Sequence, residues 1–369
     1  MSPPAVNPLR QLNAAGQSVW YDNIHRAMLA GELEHMLRDD GLRGITSNPT
    51  IFEKAITSGH AYDASLHRAL HADPDGTSRA LFFTLAVEDI GAAADQLLPV
   101  YRASDGVDGY VSLEVSPDLA HDTAATVREA RELHRRLARP NVMIKVPATR
   151  AGLPAIEALT AAGINVNVTL LFGLERYREV AERFIHGLEQ RHARGETVER
   201  IASVASFFVS RVDSALDPIL AERRPELQGK IAIANAKLAY RAYQDIFNTP
   251  RFAALRALGA RPQRLLWAST SAKNPAYPEL LYVEGLIGPD TVNTLPPATY
   301  LTFRERGVVA PTLTANVAEA QAELAALAAA GIDLGAITER LEAEGVAAFS
   351  TSFDHLLNAI GAKAAALAA

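Results

Sequence analysis

The 369-residue chain contains no cysteine, which excludes disulfide bonds and thiolate metal sites. It has no apolar stretch long enough to span a bilayer, and its first residues lack the basic and apolar segments of a secretory signal. A formal net charge of −6 provides no basic footprint for nucleic acid, although it is compatible with a local positive pocket for a small anion. We therefore expect a cytoplasmic protein that binds neither nucleic acid nor membrane.

The chain does contain 49% hydrophobic residues, which is enough for a large core. They form short β-type runs that alternate with longer stretches of helical spacing, at 121–138, 152–162, 173–192 and 231–247 among others. There are eight β-type runs, at residues 18–22, 44–48, 109–115, 142–147, 165–171, 201–209, 264–271 and 291–296. This alternation predicts an α/β fold, a single (β/α)8 TIM barrel, with a doubly wound open sheet as the competing architecture.

Three segments fall outside the eight predicted units. They are an N-terminal arm, a helical insertion at 50–105 after the second strand, and an alanine-rich helical extension at 315–369. The extension could be a partner-binding module, but apolar residues spaced three and four apart more often pack a helix onto its own barrel. We therefore expect one domain over residues 1–369, with the extension packed against the barrel.

Polar residues stand near the ends of nearly all the predicted strands. In a (β/α)8 barrel the catalytic groups lie at the C-terminal ends of the strands. Asp22 or Asn48 alone is more simply explained as a helix cap or turn residue. The convergence of many polar groups on one barrel mouth instead favours a site formed by Asp22, Asn48, Glu114, Lys145, Asn167, Thr169, Ser206, Arg211, Ser271 and Lys273.

Lys145 lies in an otherwise apolar run, "NVMIKVPAT", that has the pattern of a fully buried strand. A lysine acts as a nucleophile only when neutral, and burial in apolar surroundings favours the neutral amine. A neutral amine can form a Schiff base with a ketone. The alternative is a structural role, in which Lys145 forms a buried ion pair with Glu114 or Asp22. The strand by itself does not distinguish these two interpretations.

A Schiff base lets a neighbouring carbon–carbon bond break or form through an enamine, and this chemistry needs proton carriers. Glu114 and Asp22 are carboxylates from two different strands, so one can serve carbinolamine dehydration and the other a substrate hydroxyl. Thr169 could hold a water molecule that relays protons. The cations and hydroxyls after the sixth and seventh strands suit the phosphate of a phosphorylated substrate, and they are Arg211, Lys273, Ser206 and Ser271.

Several motifs resemble those of the transaldolase family, in the order in which that family has them. They are "GITSNPTIFEKAI" at 44–56, "VSLEVSP" at 111–117, "MIKVPAT" at 143–149, "GINVNVTLLF" at 163–172 and "SFFVSR" at 206–211. The resemblance covers about residues 18–300 and implies a barrel of the class I aldolase type. Insertion and tail resemble those of a longer bacterial subgroup.

The resemblance also implies roles for individual residues. Lys145 would be the Schiff-base lysine, Glu114 and Asp22 the acid/base carboxylates, and Thr169 the water-holding hydroxyl. The residues implied in substrate binding are Asn48 and Asn167 for the dihydroxyacetone part and Ser206 and Arg211 for phosphate. Lys273, in "ASTSAKN", stands where many members have an arginine, and lysine binds phosphate as a point charge rather than as a fork. Phe208 occupies a position where phenylalanine is typical of transfer rather than simple cleavage.

The implied reaction transfers a dihydroxyacetone unit from a ketose phosphate to an aldose phosphate in the non-oxidative pentose phosphate pathway. It requires no cofactor, its partners are sugar-phosphate substrates, and the chain would be a monomer or homodimer. A metal-dependent aldolase is the less favoured alternative, because all ten histidines lie outside the predicted strands and none forms an H-x-H pair. A non-catalytic sugar-phosphate sensor on the same barrel also stays open; it would keep Arg211 and Ser206 without needing Lys145.

Overall fold

The computed structural model of the protein describes residues 7–368. Within them, eight parallel strands form a closed barrel in which each strand pairs with its sequence neighbours and the last pairs with the first. The strands are β1 Gln17–Tyr21, β2 Gly44–Ile45, β3 Tyr110–Glu114, β4 Val142–Pro147, β5 Val166–Leu171, β6 Ser203–Phe208, β7 Arg264–Ala268 and β8 Thr291–Leu295. The predicted (β/α)8 barrel is confirmed, and the open-sheet alternative is wrong.

Helices surround the barrel and add to it at both ends of the sequence. They are α1 Pro8–Ala14, α2 Leu33–His35, α3 Pro49–Thr57, α4 Asp63–Ala72, α5 Ser78–Ala103, α6 Thr123–Leu137, α7 Gly152–Ala161, α8 Leu174–Ala193, α9 Ser210–Arg223, α10 Ile231–Phe247, α11 Pro250–Ala257, α12 Leu281–Glu284, α13 Pro297–Arg306, α14 Val317–Ala329 and α15 Leu334–Ala368. Two π-helical segments, Met28–Glu32 and Met36–Asp40, flank α2, and short 3₁₀ turns occupy Pro117–Leu119 and Pro225–Leu227.

The strands form where the sequence is apolar on both faces. Every residue of β3, β4, β5 and β6 is buried, as expected for parallel strands with the barrel interior on one face and helices on the other. The four predicted helical stretches correspond to α6, α7, α8 and α10. Helix α6 begins where the Asp122 side chain accepts a hydrogen bond from Ala125 N, and it buries Ala130, Leu133 and Leu137.

Two of the strands end three residues earlier than the sequence pattern predicts. The strand predicted at 44–48 is only Gly44–Ile45, because the Asn48 side chain caps α3 and the chain leaves the sheet to begin that helix. The strand predicted at 264–271 ends at Ala268, because Ser269 adopts a left-handed backbone conformation with φ 55°. Both early ends leave side chains at the mouth of the barrel rather than in its wall.

The added segments pack on one another as well as on the barrel. The predicted arm forms α1 in its described part, and residues 1–6 and 369 lie outside the described residues. The insertion forms α3, α4 and α5, and the extension forms α14 and α15. Helix α15 contacts α3, α4, α5, α9 and the end of β5. The insertion and the extension therefore meet at the C-terminal end of the barrel.

A close approach at Gly345 sets the position of α15. A Cβ atom on this glycine would lie 2.9 Å from Leu170 Cδ2, at the end of β5. Further along, Ser352 Oγ lies 2.9 Å from Thr50 Oγ1 of α3, and Phe353 packs edge-on against Phe82 of α5 at 5.5 Å between ring centroids. These contacts hold one face of α15 over the barrel mouth.

Candidate active site

A cavity of about 170 Å³ opens at the C-terminal ends of the strands. Nine of the eleven residues predicted for the site line it, which are Asp22, Asn48, Lys145, Thr169, Ser206, Phe208, Arg211, Ser271 and Lys273. Glu114 and Asn167 do not line it. Six residues that the sequence prediction did not include complete the lining, which are Thr46, Ala268, Ser269, Thr294, Pro296 and Phe349.

Glu114, Lys145 and Asn167 lie side by side on three adjacent strands. The sheet register pairs Glu114 with Lys145 and Lys145 with Asn167. Lys145 Nζ lies 3.2 Å from Glu114 Oε2 and donates a hydrogen bond to the Ser47 carbonyl oxygen, also at 3.2 Å. The two side chains of the pair are only 6% and 3% exposed. The ion pair is therefore present, and its lysine also faces the cavity.

The surroundings of Glu114 shift the pKa of its carboxyl group upward. Burial raises the pKa of Glu114, and the neighbouring charge of Lys145 opposes this shift only in part. No protein group in the described residues makes a regular hydrogen bond to either of its carboxyl oxygens. Lys145 is thus the ion-pair partner of Glu114, and of the two only Lys145 lines the cavity.

Asn167 lies behind the cavity wall. Its side-chain oxygen accepts a hydrogen bond from Ser206 Oγ at 2.7 Å, and its side-chain nitrogen donates to Ser112 Oγ at 3.0 Å. The residue is fully buried. Because both ends of the amide are engaged, Asn167 fixes the position of Ser206, and direct binding of a ligand by Asn167 stays a prediction.

Asp22 follows β1 and is held by a chain of hydroxyl groups. Thr46 Oγ1 donates to Asp22 Oδ1 at 2.6 Å, and Thr294 Oγ1 lies 2.6 Å from the same Thr46 oxygen. Burial raises the pKa of Asp22, opposed by the charge of Lys145 and by the hydrogen bond from Thr46. The sequence prediction missed Thr46 and Thr294, although both stand near the ends of predicted strands.

Asn48 and Thr169 are placed by local backbone features. The Asn48 side-chain oxygen accepts from Ile51 N at 3.0 Å, so Asn48 is the N-cap of α3 as well as part of the cavity wall. After Thr169 the register of β5 shifts, and Leu170 has φ 58°, a rare value for a leucine. The Thr169 hydroxyl is buried without a hydrogen-bond partner in the described part of the protein.

Two cations, Arg211 and Lys273, lie on another side of the cavity. Lys273 Nζ donates to Ser271 Oγ at 2.6 Å. Burial and the charge of Arg211 lower the pKa of Lys273, and burial lowers the pKa of Arg211. No carboxylate of residues 7–368 lies within ion-pairing distance of either cation. The charges of Asp22 and Glu344 act on Lys273 and Arg211 only from beyond this distance. Two cations without an ion-pair partner in the described residues, beside serine hydroxyls, form an environment suited to an anion such as a phosphate ester.

Phe349, on α15, closes the cavity opposite the strands. Its ring is 6% exposed, and Lys145 Nζ lies 5.6 Å from the ring centroid. Beyond Phe349, a larger cavity of about 600 Å³ reaches the surface between α3 and Pro297. It shares Asp22, Asn48 and Arg211 with the inner cavity, so the two adjoin each other.

Residues 7–368 contain no group of three or more histidine, aspartate or glutamate side chains placed to hold a metal ion. No single helix among them is long and apolar enough to cross a membrane. The bent pair Val317–Ala329 and Leu334–Leu367 meets the same length and composition criteria only when both helices are combined, and it is bent by 92°.

A closed (β/α)8 barrel with a buried lysine, nearby carboxylates and two further cations at its C-terminal mouth has the organisation of a barrel enzyme. The sequence model of the transaldolase/fructose-6-phosphate aldolase family matches residues 19–360. A protein of Parafrankia sp. named transaldolase is 50% identical, over 96% of this chain and 97% of its own. A protein of the same name from Thermobifida fusca is 48% identical, over 98% of this chain and 99% of its own. Another from Thiobacillus denitrificans is 47% identical, over 96% of this chain and 100% of its own.

This chain therefore belongs to the transaldolase/fructose-6-phosphate aldolase family, and it is an enzyme of the transferase class. The resemblance inferred from the sequence motifs is confirmed.

Proposed function

We propose that the enzyme is a transaldolase that moves a dihydroxyacetone unit between sugar phosphates through a Schiff base on Lys145. The observation that carries the proposal is the position of this lysine, which faces the cavity, contacts Glu114 at 3.2 Å, and shares the cavity with Asp22, Arg211 and Lys273. The names of the relatives support transaldolase activity.

The first step makes Lys145 a nucleophile. The Glu114 carboxylate accepts a proton from the lysine ammonium, and the raised pKa of Glu114 favours this transfer. The neutral amine then attacks the ketone carbon of fructose 6-phosphate or sedoheptulose 7-phosphate and forms a carbinolamine. Glu114 returns its proton to the carbinolamine hydroxyl, directly or through a water molecule held by Thr169, and water leaves to give the protonated imine.

The second step breaks the bond between C3 and C4 of the sugar. Asp22 accepts the proton of the C4 hydroxyl, and the electrons of the breaking bond move into the imine to give an enamine. The raised pKa of Asp22 suits it to hold this proton. An aldose phosphate leaves, and a second aldose phosphate, erythrose 4-phosphate or glyceraldehyde 3-phosphate, takes up the three-carbon unit by the reverse steps.

The cations give the substrate its direction in the cavity. Arg211 and Lys273, with Ser206 and Ser271, bind the phosphate, while the dihydroxyacetone end reaches Lys145 with Asn48 in range of its hydroxyl groups. Phe208 contributes an apolar wall whose ring centroid lies 5.5 Å from the Arg211 guanidinium carbon. This arrangement needs no metal or organic cofactor. The reaction belongs to the non-oxidative pentose phosphate pathway.

Borohydride trapping tests the proposal directly. Treating the enzyme with fructose 6-phosphate and borohydride should attach a reduced three-carbon unit to Lys145, detected by peptide mass spectrometry. Lys145→Met should abolish both labelling and transfer, whereas Lys273→Met, which removes another lysine of the same cavity, should retain the label at high substrate concentration. A folded wild-type enzyme that is not labelled would overturn the proposal, and a Lys145→Met variant that keeps its biological role would favour the sensor alternative.

A further inference from the structure

Phe349 is the aromatic residue that α15 brings to the barrel mouth. It lines both the inner cavity and the larger cavity that opens to the surface, so it lies where the two adjoin, and only the inner one is lined by Lys145. The ring is buried although its helix lies outside the barrel, and its position depends on the approach of Gly345 to Leu170 one helical turn earlier. The side chain of Phe349 has no polar atom that could form a hydrogen bond with the substrate.

The position of the ring has two physical consequences for an intermediate on Lys145. First, an apolar surface beside Nζ excludes water from the nitrogen and from the carbon bonded to it. Secondly, a ring centroid 5.6 Å from Nζ is within the range in which an aromatic face attracts a cation, including a protonated imine. The other side chains around Lys145 in the cavity are mostly polar, so Phe349 is well placed to restrict water.

We propose that Phe349 is a positioning and specificity residue that protects the lysine-bound three-carbon unit from hydrolysis, so that the unit passes to an aldose phosphate. This inference rests on the proposed function. The side reaction that it limits is protonation of the enamine carbon, addition of water to the resulting imine and cleavage of the carbon–nitrogen bond. Its products are free dihydroxyacetone and regenerated Lys145.

The test compares hydrolysis with transfer in the same preparation. Dihydroxyacetone release from fructose 6-phosphate without acceptor is divided by the rate of transfer to erythrose 4-phosphate. This ratio does not depend on the fraction of folded enzyme. Phe349→Ala should raise it by about 10-fold. Leu356→Ala is the matched control, because Leu356 is fully buried on the same helix but does not line either cavity, and it should leave the ratio unchanged.

Phe349→Leu keeps an apolar side chain and guards against a folding failure of the alanine variant. It should raise the ratio by about 3-fold. An unchanged ratio in Phe349→Leu and Phe349→Ala, or an equal rise in Leu356→Ala, would overturn the inference. Borohydride trapping of the wild type separates the two proposals: absence of a Lys145 adduct contradicts the Schiff-base function, whereas a normal adduct with an unchanged ratio contradicts only the role of Phe349.

Discussion

Removing the charge of Lys145 alone should destabilise the protein more than removing both charges of the Lys145–Glu114 pair. Two unit charges 3.2 Å apart attract by roughly 5 kcal/mol at an effective dielectric constant of about 20. Both side chains are almost fully buried, so solvent screens this attraction little. The desolvation of each ion opposes it by several kcal/mol, which is why the pair as a whole adds little net stability.

The expected values follow from this balance. Lys145→Met leaves the Glu114 carboxylate buried without its cation and should lower the free energy of unfolding by about 3–5 kcal/mol at pH 8. The double variant Lys145→Met with Glu114→Gln removes both charges. Its free energy of unfolding should be within about 1 kcal/mol of the wild-type value, or higher. The double variant should therefore be more stable than Lys145→Met alone by about 3 kcal/mol.

The cost of Lys145→Met should also depend on pH. Burial raises the pKa of Glu114 above its ordinary value of 4.5, and the charge of Lys145 is what opposes the shift, so the variant should raise this pKa further. A raised carboxyl pKa stabilises the fold at low pH, and this contribution is lost as the pH rises through the folded-state value. The destabilisation should thus be small near pH 5 and large at pH 8.

Urea unfolding measures these quantities, with the buried residues Trp20 and Trp267 as fluorescence probes. Lys273→Met is the control, because it removes a cavity cation that has no carboxylate partner, and it should not destabilise the protein. Destabilisation of the single and double variants that is equal to within about 0.5 kcal/mol would refute the reasoning. It would mean that Lys145 and Glu114 are not coupled as charges in the folded protein.

Three further predictions concern the other side chains of the cavity. Thr46→Val removes the hydrogen bond that lowers the pKa of Asp22. The variant should therefore have a kcat about 10-fold lower, and the acidic limb of its pH–rate profile should move to higher pH. An acidic limb at the wild-type pH would contradict this prediction. Arg211→Gln should raise KM for sugar phosphates by about 10- to 100-fold, while borohydride trapping of unphosphorylated dihydroxyacetone on Lys145 stays normal. If the variant loses reaction with sugar phosphates and trapping of dihydroxyacetone to the same extent, Arg211 does not form a phosphate site. Lys273→Arg should lower KM for fructose 6-phosphate by about 3-fold at nearly constant kcat, because a guanidinium binds phosphate with two parallel hydrogen bonds. A higher KM would show that the cavity requires the compact lysine charge.

The barrel could be predicted from the sequence because burial on both faces leaves a strong pattern. Val142–Pro147 and Val166–Leu171 are nearly continuous apolar runs, and the structure has strands there. The pattern fails where a side chain overrides it. Asn48 belongs to a run that resembles a strand, but its side chain caps α3. The alternation of apolar and polar residues that indicates a strand contains no information about a capping hydrogen bond to the following helical turn.

The site was predictable as far as the strand ends determine it. Applied fully, the same rule would also have included Thr46 and Thr294, which follow or end their strands as Asp22 does. Phe349 is different, because an amphipathic helix indicates that a residue is buried but not what it is buried against. Its neighbour in the cavity, Lys145, is about two hundred residues away in sequence, and only the packing of α15 on α3 and β5 brings the two together.

The hydroxyl chain that holds Asp22 also links catalysis to the topology of the barrel. Thr294 comes from β8, Asp22 follows β1 and Thr46 follows β2, so the chain bridges the seam at which the first and last strands pair. This pairing closes the longest loop in the barrel and carries the largest entropic cost of any strand contact. A polypeptide in which the other seven strand pairs have formed can have native-like secondary structure while Asp22 lacks its hydrogen-bond partners. Recovery of activity during refolding should consequently follow the pairing of β1 with β8. The enzymatic rate, measured as a function of refolding time, would then show when the barrel closes.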